Sequence, residues 1–144
     1  MSATIRRIFP AMCLITWSAL LFLAAGLASA DEVKVKLTGA GEVPPVQTAA
    51  TGSGTITVND DKSVSGSVTT KGIEGIAAHV HQAATGKNGP PIIPLEKTAE
   101  GVWSVPQGAK LTDEQYASYK AGDLYVNVHS AEHKSGEIRG QLKP

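Results

Sequence analysis

A chain of 144 residues with 13 basic and 13 acidic side chains carries no basic footprint for nucleic acid or an anionic membrane surface. A single cysteine excludes an internal disulfide framework. Aromatic residues make up only 5% of the chain, so the core must come mostly from Val, Ile, Leu and Ala, enough for a small sandwich but not for a large ligand cavity as well.

The N-terminus reads as a leader. Arg6 and Arg7 precede an apolar stretch over residues 11–27, and Ala28-Ser29-Ala30 supplies the small-x-small pattern that signal peptidase recognises. This predicts a signal peptide at residues 1–30, cleavage before Asp31 and a periplasmic or secreted product. The alternative is a retained anchor, because the apolar stretch is nearly long enough to span a bilayer. Cys13 leaves with the leader. Two of the basic residues leave too and none of the acidic ones, so residues 31–144 are slightly negative and have no expected nucleic-acid or membrane partner.

Residues 31–144 have the size of one domain and read as short strands between turn residues. Residues 33–37 alternate apolar and lysine, as a half-buried strand does. Glu42-Val-Pro-Pro-Val46 interrupts the pattern, since two prolines do not sit in a central ladder. Alternation resumes at 54–58, turns at Asn59-Asp60-Asp61-Lys62 and continues over 63–70. A strand at 76–82 precedes a loop by composition at 86–91. The runs 92–97 and 101–105 are expected to form a hairpin joined at Ala99-Glu100. Strands at 124–129 and 137–142 close the chain. Thr112-Asp-Glu-Gln115 fits a capping box, Leu111 and Tyr116 occupy staple positions, and Gly122 supplies a stop. The expectation is an all-β fold, an antiparallel β-sandwich with one short cross-connecting helix.

All four histidines fall in two clusters, His79-Val-His81 and His129 with His133. Strand alternation puts His79 and His81 on one face with Cα atoms roughly 6–7 Å apart, within reach of one metal ion. The second cluster adds a third and a fourth nitrogen if the fold joins the segments. Otherwise these are polar positions on two exposed strand faces. Neutral nitrogen donors suit copper and zinc, with Cu(II) first on affinity. An open fourth position would permit chemistry; His133 in that position would close the site. Glu132 and Glu137 are candidate acceptors for the imidazole N–H groups, though each is also an ordinary surface carboxylate. Asn127 shares the His129 face and is assigned a strand-edge hydrogen bond, while Glu137 and Arg139 are assigned an ion pair. There is no cysteine nucleophile, nucleophile elbow or phosphate-cradling loop before a helix.

Leu37-Thr-Gly39 leading to Glu42-Val-Pro-Pro-Val46, His79-Val-His81, Leu111-Thr-x-x-Gln115, Gly122-Asp-Leu-Tyr-Val-Asn-Val-His-Ser130 and Gly136-Glu-Ile-Arg-Gly-Gln141 together resemble the CHRD domain, named after chordin and also found singly in exported bacterial proteins. The resemblance covers nearly all of residues 31–144. It implies an immunoglobulin-like, Greek-key sandwich and no defined enzymatic activity. A fainter likeness is to Cu/Zn superoxide dismutase: His79, His81 and His129 match its copper ligands, and His133 has no counterpart. The bridging and zinc-site histidines are missing, as is the disulfide, and Arg139 lies in a different motif from the enzyme's anion-guiding arginine. Two readings follow: an exported, non-catalytic metal-binding domain using His79, His81, His129 and His133, or an extracytoplasmic protein-interaction module without metal. Convergence of the two histidine clusters separates them.

Overall fold

A computed structural model describes residues 29–144. The expected leader lies outside the described residues except for Ser29 and Ala30. Nine strands and one helix form the described chain: β1 (Ala30–Thr38), β2 (Thr51–Asn59), β3 (Val64–Lys71), β4 (Gly75–Gln82), β5 (Pro91–Pro94), β6 (Glu96–Ala99), β7 (Val102–Ser104), α1 (Asp113–Lys120), β8 (Leu124–Ser130) and β9 (Ile138–Leu142). All strand pairs are antiparallel, as expected.

The sheet order is β5-β4-β8-β9-β1-β2-β3-β7-β6. Two leaves can be distinguished within it. The β9–β1 seam has a single paired position, Thr38 with Arg139. Gly140 lets the backbones approach there, because a Cβ at this position would run into the Lys36 carbonyl oxygen. At the other end, β5 and β6 lie on opposite edges of the order yet are separated in the chain by Leu95 alone. The sheet therefore folds back around its core, to which both leaves contribute: Val33, Val35, Leu37 and Ile56 from one, Val80, Val126, Val128 and Ile138 from the other. Period-two alternation produces this arrangement, with Lys34 and Lys36 turned outward between the buried residues of β1.

The expected 92–105 hairpin is only half correct. Strands β6 and β7 do pair, but the run at 92–97 divides, and β5 pairs with β4 instead. Pro94 has no N–H to continue a ladder. Leu95, buried, donates its own N–H to the Ala78 carbonyl at 2.9 Å, which fixes the point where the chain changes leaf.

Helix α1 connects the leaves between β7 and β8. Thr112 accepts from the Gln115 N–H at 3.2 Å, and Gln115 Oε1 accepts from the Thr112 N–H at 2.9 Å, completing the capping box. Gly122, at φ 79°, ends the helix and donates to the Tyr119 carbonyl. The helix lies across one end of the sheets, tied to the β2–β3 turn by Lys62–Asp113, to β1 by Lys120–Asp31 and to β4 by Gln82–Ser118. Among the described residues, no helix is long and apolar enough to cross a membrane.

Candidate metal centre

The outer face of the β4–β8–β9 leaf is polar, and much of it is buried. Alternation sends Ala78, Val80, Val126 and Val128 into the core, so His79 and His81 on β4 and Tyr125, Asn127 and His129 on β8 share the opposite face. The register sets His79 opposite Asn127, His81 opposite Tyr125 and Ala77 opposite His129. The three imidazoles thus surround Asn127 from directly across, from the diagonal and from two positions along its own strand.

The two histidine clusters converge. One ring nitrogen from each of His79, His81 and His129 lies within 4.8 Å of the other two. His79 Nδ1 and His129 Nε2 are 3.1 Å apart. Nitrogens bound to one copper or zinc ion stand about 3–4 Å apart, given metal–nitrogen bonds of about 2 Å. One pair is already at ligand spacing. The ring centroids of His79 lie 5.5 Å from His81 and 5.0 Å from His129.

Hydrogen bonds fix the tautomers. His81 Nδ1 lies 2.8 Å from the Gly89 carbonyl and His129 Nδ1 lies 2.8 Å from the Lys134 carbonyl. A carbonyl only accepts, so each Nδ1 carries the proton and each Nε2 presents a lone pair. His81 Nε2 is buried and has no hydrogen-bond partner, which a cation in the cluster would supply. Burial, helped by the neighbouring His129 and His81, lowers the His79 pKa. Burial also lowers that of His81, against the opposing pull of the Gly89 carbonyl. Both rings are held in the neutral form that binds metal.

His133 is not brought into this group. It lies on the β8–β9 turn, where its carbonyl accepts from the Ser130 and Gly136 N–H groups and its own N–H bonds Ser130 Oγ. The carboxylates assigned to the imidazole N–H groups do not take that role either: the Gly89 and Lys134 carbonyls do, while Glu137 accepts from Thr48 Oγ1 at 2.6 Å. Arg139 forms no ion pair with Glu137. Its guanidinium bonds Asn88 Oδ1 at 3.3 Å and Gln141 Oε1 at 3.2 Å, and its central carbon lies 3.4 Å from the Tyr125 ring centroid. Tyr125 in turn stacks on His81, with centroids 4.8 Å apart and planes 7° from parallel. Asn127 is not at a strand edge, because β8 lies between β4 and β9.

The residues that sequence reasoning missed are those that cover this face. Gln141 Nε2 donates to the Ala83 carbonyl and Asn88 Nδ2 to the Val43 carbonyl, drawing the 83–90 and 42–46 loops over it. Glu42 is only 5% exposed, and desolvation raises its pKa against the opposing charge of Arg139. The sequence signal for Tyr125 is the alternation of β8, which puts it on the face of Asn127 and His129. Backbone carbonyl partners leave no signal in residue types.

The sequence matches the family model described as the CHRD domain over residues 33–142. No curated protein and no solved structure matches.

Proposed function

The chain belongs to the CHRD domain family, and on that footing we propose that it is an exported, non-catalytic domain that binds one copper ion, with zinc the second choice, through His79, His81 and His129. The observation that supports this reading is the donor arrangement. The His81 and His129 imidazoles are locked by backbone carbonyls with Nε2 unprotonated, and His79 lies at ligand spacing from His129. A three-nitrogen set of neutral imidazoles follows the affinity order that puts Cu(II) above Zn(II). The bound ion would supply a Lewis-acid or redox centre; the chain supplies neutral, oriented donors.

The export half of the reading rests on Arg6-Arg7, the apolar run and Ala28-Ser29-Ala30. The non-catalytic half rests on residues that are absent or otherwise engaged. There is no bridging histidine of the superoxide dismutase type, and Arg139, 2% exposed and bonded to Asn88 and Gln141, does not face an incoming anion. Metal analysis of the exported protein tests the reading together with its intact mass. Copper in near-stoichiometric amount, a mass beginning at Asp31 and no appreciable superoxide turnover support it. A metal-free protein that takes up no copper on addition overturns the metal claim, and a mass retaining Met1 overturns the cleavage claim.

A protein-interaction role is favoured by a separate observation. Ile76, 59% exposed, stands on the rim of a 310 Å³ pocket with Ile73, Glu74 and Glu132. A copper-free protein that binds a partner and loses it on Ile76→Ser would support that role instead.

A further inference from the structure

We propose that the side-chain oxygen of Asn127, central among the three histidines by register, is a fourth donor to the same ion; the inference rests on the metal reading above. Asn127 is 2% exposed on the central strand of the leaf, in the middle of the three histidines by register. Its Oδ1 is buried without a hydrogen-bond partner, and so is Nε2 of His81. Both atoms are acceptors: the His81 proton is already on Nδ1, bonded to Gly89, and a primary amide oxygen has only lone pairs to offer. The register sets Asn127 diagonal to His81 on the same face. Two buried acceptors without donors on one face are costly, and a shared cation would satisfy both at once.

Glu42 fixes which end of the amide faces the histidines. The donor end of the amide, Asn127 Nδ2, and Glu42 Oε1 both lie against Gly136, and a carboxylate oxygen there prefers a donor to an acceptor beside it. Glu42 Oε1 and Asn127 Nδ2 crowd together against Gly136, where a Cβ would collide with both. Gly136 has φ 126°, a left-handed region that favours glycine, so the backbone there is shaped to admit this pair. With Nδ2 on the Glu42 side, Oδ1 is left for the metal side. Three imidazole nitrogens with one weak neutral oxygen would form a donor set that copper accepts.

The test uses the full chain titrated with Cu(II) alone, read by calorimetry and electron paramagnetic resonance, for wild type, Asn127→Ser, Glu42→Gln/Asn127→Asp and His129→Ala. Serine is too short to reach the ion, so Asn127→Ser should bind copper about 10–100-fold more weakly, with an altered spectrum. Asn127→Asp keeps an oxygen donor but sets a carboxylate against Glu42, so it is combined with Glu42→Gln; this double variant should bind at least as tightly as wild type and also shift the spectrum. If Asn127→Ser does not fold, as circular dichroism would show, the spectrum of the Glu42→Gln/Asn127→Asp variant decides alone. Wild-type spectra and affinities in the folded Asn127 variants, with binding lost in His129→Ala, would overturn the fourth donor and leave the three histidines standing. A wild type that binds no copper overturns the metal reading itself.

Discussion

His79 Nδ1 and His129 Nε2 meet at 3.1 Å although the two residues stand 50 positions apart in the chain. The antiparallel register of β4 and β8 makes them diagonal neighbours on one face, and the carbonyl of Lys134 turns His129 so that Nε2 points across. In the metal-free protein one proton lies between them. A metal ion would replace that proton.

The lowered pKa values of His79 and His81 set the acid response of the metal-free fold. Both groups hold protons less tightly folded than unfolded, so the stability they contribute is fully present above the unfolded value near 6.5. It is lost as pH falls through the lower folded values. Urea midpoints should therefore drop between pH 7.5 and pH 5, and the drop should shrink in a His79→Asn/His81→Asn double variant. A midpoint in the wild type that does not move over this range would contradict the burial of neutral imidazoles. Copper affinity should fall over the same range, because protons compete for the same nitrogens.

Thr112 accepts the Gln115 N–H that the first turn of α1 would otherwise leave unpaired. Thr112→Ala should cost about 0.5–2 kcal/mol in denaturant melts, as loss of an N-cap does. Thr112→Ser should recover most of it. An alanine variant as stable as wild type would mean that the helix end does not depend on this side chain.

Arg139 binds the 83–90 loop to the sheet while stacking on Tyr125, which stacks on His81. Arg139→Ala should destabilise the domain by roughly 1.5–3 kcal/mol, the range for hydrogen bonds to a charged group. It should also speed hydrogen exchange at the Gly89 N–H, which donates to the Tyr125 hydroxyl. Arg139→Lys should restore little, since an ammonium lacks the planar fork that bonds and stacks together. Full recovery with lysine would show that charge alone is what the position requires.

Much of the fold was legible because it follows from alternation and turn chemistry. The Val-Lys repeat of β1, the Asn59-Asp60-Asp61-Lys62 turn and the Thr112–Gln115 box each specify their local structure through near neighbours. The change of leaf at Leu95 was not legible: a run of apolar residues at 92–95 reads as one strand, and only the partner available to each half divides it. The same limit applies to the site. His79 and His81 could be paired from their spacing, and His129 fell on the right face of β8. His133 is near His129 in sequence, but it sits in the turn after β8 and is not in the group of three. The acceptors for His81 and His129 are carbonyls brought in by two loops, and the partners of Arg139 lie across the covered face. None of these follows from residue type.

Calorimetric copper titration of wild type beside His79→Ala, His81→Ala, His129→Ala and His133→Ala tests the central claim most directly. The expected result is one copper ion per wild-type chain, with affinity reduced about tenfold or more in each of the first three variants and unchanged in His133→Ala. Absence of binding in the wild type, or wild-type affinity in all three of the clustered-histidine variants, would contradict it.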